Sequence, residues 1–186
     1  MVVFSPADLL ARLSQHLNLL TTVGRDSPDR QSTLRKAIDW SWNLLEPWEQ
    51  SAGAQCSVFH GGFNLEAAEQ ILDISGFPQA PSIFGIVQAL RQKSLLRSFE
   101  LPEIPGQLRF GMYVTVQEFA REKFQAISRG NAFHHKHSAY YVKHGRSLAP
   151  NFPGGGGDKR LRQLAVDEES LRTAHKWAVT REPPTR

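Results

Sequence analysis

The chain has 186 residues with 40% hydrophobic and 22% charged content, the composition of a globular protein that can bury a sizeable core. Its formal net charge is +4 with a pI near 9.5, which permits an anionic partner but is a small excess for this length. One cysteine, Cys56, excludes an internal disulfide framework and a cysteine-based zinc site, and the absence of an apolar run of about 18 residues or of a secretory leader pattern leads to the expectation of a cytoplasmic protein with no membrane partner.

The segment 5–20 reads as a helix, with Ser5 as cap, Pro6 at its first position and leucines at helical spacing. A turn-rich linker follows to about residue 31. The spacing of Leu34, Ile38, Trp42 and Leu45 predicts a helix over 32–45. Pro47 starts another over 47–58, with Glu46 and Glu49 at its dipole-positive end. His60-Gly61-Gly62-Phe63 reads as a break. Asn64 caps a short helix over 65–73, and Ser82 caps the next over 83–93.

After Ser94 the texture changes. Residues 95–99 and 107–112 are short and alternate apolar with polar, and 100–106 between them holds Pro102, Pro105 and Gly106. That predicts a two-stranded hairpin with a long loop. Helices are predicted over 115–128 and 131–147. PNFPGGGG at 150–157 reads as a flexible break, and a further helix runs over 167–180 before a frayed end. Helices followed by a β-hairpin are the anatomy of a winged helix. The expected class is therefore mainly α, with 83–93 in the recognition-helix position, 100–106 as wing tip and a separate helical segment beyond.

Four stretches together resemble one bacterial family: QSTLRKAIDWSWNLLEPWEQ, CSVFHGGFNLEAAEQIL, ALRQKSLLR and LRFGMYVTVQEFAREKF. They are similar to the winged-helix region that follows the nucleotide-binding domain of STAND (NB-ARC-type) signalling ATPases, among them large transcriptional regulators of the AfsR and LuxR-type groups. The resemblance covers roughly residues 5–128 and continues more weakly to the end, where such proteins begin TPR-like repeats. It implies three parts: 1–30, the end of a preceding small helical domain and a linker; 31–128, the winged helix; and 129–186, the start of the helical repeats. No GxxxxGK[ST] phosphate loop occurs, so the resemblance implies ATP or ADP only on a separate nucleotide-binding domain, in cis or in trans, and none held by this chain. The chain reads as the middle of a larger protein or as a free-standing remnant. Relatives read bound ADP through a triplet that aligns with Met112, Tyr113 and Val114, so Met112 and Tyr113 become the nucleotide-sensor candidates. Val114 departs from the acidic residue found there and cannot replace it.

Other constellations carry less. His134, His135 and His137 lack a carboxylate placed to complete a metal site, and a plain helix surface is the preferred reading. PNFPGGGGDKR has Asp158 where a phosphate-binding lysine would sit. Glu66 and Glu69 read as a solvated face, and Cys56 near His60 as a buried structural thiol. At least two of Trp40, Trp42 and Trp48 are expected to pack inside or against a neighbouring domain.

No nucleophile–base or metal constellation points to an enzyme. The leading expectation is a non-catalytic regulatory module that switches between docked and released states on an ATPase core. The first alternative is a free-standing winged-helix DNA-binding regulator. It would read DNA with Gln88, Arg91 and Lys93, helped by Gln92, Arg97 and Arg109, and it ranks lower because 83–90 is mainly apolar. The second is a protein-interaction adaptor using the C-terminal helices.

Overall fold

The structure, a computed structural model, describes residues 28–126, 130–148 and 157–181. The expected helix over 5–20 and nearly all of the 150–157 break lie outside these residues. The chain divides into two compact units, one up to Leu44 and one from Leu45 onward.

In the first unit, helix α1 runs Pro28–Asn43. It starts about four residues earlier than the spacing alone indicates. Ile38 and Trp42 are buried one turn apart, whereas Leu34 is 40% exposed. Trp40, on the opposite side of the helix, is 60% exposed. Trp48 in the second unit is half-buried, so of the three tryptophans Trp42 is the one wholly inside.

The second unit holds a winged helix. Helix α2 spans Pro47–Cys56 and begins in a capping box: the Glu49 carboxylate accepts the Glu46 backbone N–H at 2.8 Å, while the Glu46 side chain accepts from the backbone of Glu49. Helix α3 spans Leu65–Ile71, with the Asn64 side chain accepting the Ala67 N–H at 2.8 Å. Helix α4 spans Ile83–Gln92. It ends at Ser94, whose φ of 60° turns the chain out of the helix and buries Leu95 and Leu96. Strands β1 (Arg97–Glu100) and β2 (Leu108–Gly111) pair antiparallel, with Ser98 opposite Phe110 and Phe99 opposite Arg109. Helix α5 follows over Val114–Gln125.

The expected break at 60–63 does structural work as well. Phe63 pairs antiparallel with Phe110 through two backbone hydrogen bonds of 2.8 and 2.7 Å, adding a one-residue third strand to the hairpin. Gly62 makes this possible. Its φ is +89°, and a Cβ there would lie 2.7 Å from the Phe110 carbonyl oxygen and 2.8 Å from the Phe99 ring.

The core sits between α2, α3, α4 and α5. Ala52, Ala68, Ile71, Ile86, Val87, Leu90 and Ala120 are almost wholly buried, and Phe59, Phe63 and Phe110 form a chain of ring contacts beside them. Two glutamines tie the loops to it. Gln55 exchanges a reciprocal pair of hydrogen bonds with the Asp73 backbone, at 2.8 and 2.7 Å. Gln117 donates to the Ser57 and Phe59 carbonyls, both at 3.0 Å.

Helix α6 (Gly130–Leu148) packs on α3, and helices α7 (Gly157–Val166) and α8 (Glu168–Arg181) follow. Helix α8 lies along α6, so closely that a Cβ on Gly145 would meet Leu171 at 3.1 Å. The sequence reading contains no separate α7. The molecule is mainly helical with one small antiparallel sheet, a winged helix followed by a helical segment.

Candidate functional site

The outward face of α4 and the neighbouring hairpin form the candidate site. Helix α4 is positioned by its apolar side, where Ile86, Val87 and Leu90 are buried against α2 and α3. The Ser82 hydroxyl accepts the Gly85 N–H at its start. The other side looks outward: Phe84, Arg91 and Gln92 are exposed, and Gln88 is half-buried. The mainly apolar run 83–90 is therefore two-sided rather than engulfed.

The cations near this face divide into two groups. Arg91 is exposed, and among the described residues it makes a long contact, 3.4 Å, to the Ser98 hydroxyl on β1. Arg97 is also exposed, with its guanidinium 4.6 Å from the Phe99 ring centroid and 5.5 Å from that of Tyr113. Lys93, by contrast, is ion-paired to Glu49, the same carboxylate that caps α2. Its charge links the end of α4 to the start of α2.

Arg109 corrects the sequence reading outright. Expected as a cation flanking the recognition helix, it is 1% exposed. Its Nη2 donates to the Gly62 carbonyl and to Asp167 Oδ1, both at 2.9 Å. Along β2 Arg109, Phe110 and Gly111 are all buried, and Arg109 is met there by a carboxylate from the joint between α7 and α8. The sequence offers no local signal for a partner 58 residues away.

The wing tip lacks positive charge. Residues 98–107 contain no Lys or Arg, and Glu100 and Glu103 are exposed there. Beside the hairpin, Leu108, Tyr113 and Val114 are exposed by 48%, 59% and 71%. Tyr113 occupies the N-cap position of α5 without capping it through its side chain, and Met112 is half-buried. The two sensor candidates are thus adjacent but unequal, with only the tyrosine presented to solvent.

The remaining candidates have structural surroundings. Cys56 is buried, and that burial pushes its thiol up to about 12, which leaves it protonated and unreactive. His60 Nδ1 is taken by the Val58 carbonyl at 2.8 Å. Glu66 and Glu69 are exposed, as expected of a solvated face. His134 stacks on Trp177 and His135 meets its edge. Asp158 lies within α7. Among the described residues no group of three or more metal-ligating side chains converges, and no helix is long and apolar enough to cross a membrane.

His137 is the exception in its chemistry. It is buried between Phe59 and Tyr141, and its Nε2 has no hydrogen-bond partner among the described residues. Burial, helped by His134 and His60, pushes its pKa down to about 3. The unfolded chain therefore takes up a proton near pH 6.5 that the folded chain refuses until about 3. Stability is full above pH 6.5 and falls as pH drops through that window, by at most about 1.4 kcal/mol per pH unit. Urea titrations at pH 7 and pH 4.5 are expected to show this loss, and His137→Phe, which keeps the ring contacts, is expected to flatten it.

Three mycobacterial proteins are similar to this chain. Each is named "Putative HTH-type transcriptional regulator": Rv0890c and MT0914 of Mycobacterium tuberculosis, and Mb0914c of Mycobacterium bovis. Each is 31% identical over 178 residues, covering 94% of this chain and 19% of the relative. The chain thus spans about a fifth of the length of these curated relatives. No family model matches it. No solved structure matches it either. The names agree with the regulator part of the family resemblance and carry no mention of an ATPase.

Proposed function

We propose that the chain is a non-catalytic winged-helix module of a transcriptional regulator and that it touches DNA with the outward face of α4. The observation that carries this reading is the two-sidedness of α4. Its apolar side is buried, while Gln88, Arg91 and Gln92 face outward in the position a recognition helix occupies. Gln and Arg are the side chains suited to base edges, and Arg97 on β1 is placed for a phosphate. Lys93 has a smaller part than the sequence suggests, because Glu49 already neutralises it. The regulator names of the longer relatives support the same reading. The comparisons shift the weight here from the ATPase-docking expectation to the DNA alternative.

The test is fluorescence anisotropy on a labelled duplex across a salt series. Binding is expected to weaken steeply with salt, Arg91→Ala is expected to lower affinity by about 1–3 kcal/mol, and Arg97→Ala is expected to reduce the salt slope by about 1. Lys93→Ala is expected to lower stability and leave the slope nearly unchanged. Absence of binding at low salt, or an Arg91→Ala protein that binds like the parent, contradicts the reading.

A second reading is favoured by the exposed apolar group Leu108, Tyr113 and Val114 beside an acidic wing tip. Such a patch suits a protein surface better than a phosphate backbone. On this reading 31–128 docks on a separate nucleotide-binding domain, in cis or in trans, with Met112 and Tyr113 at the nucleotide-sensing position and 129–186 opening a helical repeat array. The two readings differ in which surface is covered by a partner.

A further inference from the structure

The C-terminal helices are fastened to the wing at one buried carboxylate. Asp167 sits at the joint between α7 and α8 and receives hydrogen bonds from three elements: Arg109 of β2 at 2.9 Å, His144 of α6 at 3.1 Å and Gln163 of α7 at 2.7 Å. Arg109 holds the other side as well, because the same Nη2 donates to the Gly62 carbonyl next to the Phe63–Phe110 bridge. One turn further on, the Ser170 hydroxyl donates to the His60 carbonyl at 3.1 Å. The wing tip begins one residue pair beyond Arg109, at Glu100 and Leu108.

Arg109 Nε has no hydrogen-bond partner among the described residues, so the guanidinium is held through its Nη2 contacts, and a buried pair that loses one partner is costly. Lifting the α7–α8 joint would strand both the Asp167 carboxylate and the Arg109 guanidinium, so partial opening is disfavoured relative to full closure or full release. We propose that the Arg109–Asp167 pair is a latch through which the C-terminal helices set the position of the wing hairpin. A partner that moves α7 and α8 then also frees β1 and β2, and one that clamps the hairpin stiffens α7 and α8, since such coupling is reciprocal. This holds whichever partner the α4 face takes.

Native-state hydrogen exchange of the full chain, read by mass spectrometry, tests it. In Asp167→Asn, exchange over 97–111 and 157–181 is expected to rise together by about tenfold or more, while α2 and α4 keep their rates. Acceleration confined to 157–181, or a uniform rise throughout the chain, overturns the latch. If Asp167→Asn does not fold, Gln163→Ala serves instead, since it removes one donor from a half-buried position. The same two segments must then rise together by a few-fold, and a rise in α7 alone overturns the proposal.

Discussion

Arg109→Met is expected to lose about 3–5 kcal/mol of folding stability, among the largest effects available in this chain. The side chain is 1% exposed, and its removal leaves the 5%-exposed Asp167 carboxylate without a fixed positive charge. Burial alone would raise the Asp167 pKa. The hydrogen bonds from His144 and Gln163 and the charge of Arg109 outweigh that and hold the carboxyl below its ordinary range. The double variant Arg109→Met/Asp167→Leu removes both charges from the interior. It is expected to recover much of the loss, because a buried pair replaced by apolar groups is often near neutral. Denaturant titration of the two single variants and the double variant gives the coupling directly. Additive losses in the double variant would mean that the two residues do not act as a pair.

Gly62→Ala is expected to cost roughly 3 kcal/mol or more, from two independent causes. The positive φ penalises any side chain by about 1 kcal/mol or more. The added Cβ would also stand 2.7 Å from a backbone carbonyl oxygen and 2.8 Å from the Phe99 ring, neither of which is a loose side-chain end. Gly106 and Gly76 are internal controls. Gly106 has a φ of +78° but open space around it, and Gly76 has open space and no such φ. Thermal unfolding of the three alanine variants is expected to rank them Gly62 far below Gly106, and Gly106 below Gly76. A Gly62→Ala protein as stable as Gly106→Ala would contradict the close approach at the third strand.

Much of this fold follows from local chemistry. Ser82 and Asn64 cap the helices they were expected to cap, and the apolar spacing of 83–93 matches a helix ending at Gln92. The hairpin is legible because two short segments, read over 95–99 and 107–112, flank a loop rich in proline and glycine. Features that depend on distant partners were not legible. The Phe63–Phe110 bridge joins residues far apart in the chain, and no pattern within HGGF announces a strand. Arg109 read as a surface cation because its neutralising carboxylate lies on another element. Helix α7 was hidden by the glycine run before it and by its strongly polar DKRLRQ sequence. Trp40 lies on the far side of its helix from Trp42, and that side is solvent-exposed.

The candidate site divides the same way. Gln88 and Arg91 are where helical spacing puts them, whereas Lys93 was counted as a free cation because its ion pair with Glu49 spans two helices. The wing tip's lack of basic residues was readable from 98–107 alone, and it limits how many phosphates the hairpin can meet.

The central claim is that α4 is the face presented to DNA, and backbone amide chemical-shift mapping during titration with a duplex tests it most directly. The expected result is a set of salt-sensitive shifts centred on Gln88, Arg91 and Gln92 and extending to Arg97. Shifts absent from α4, or confined to the Leu108, Tyr113 and Val114 surface, would contradict it.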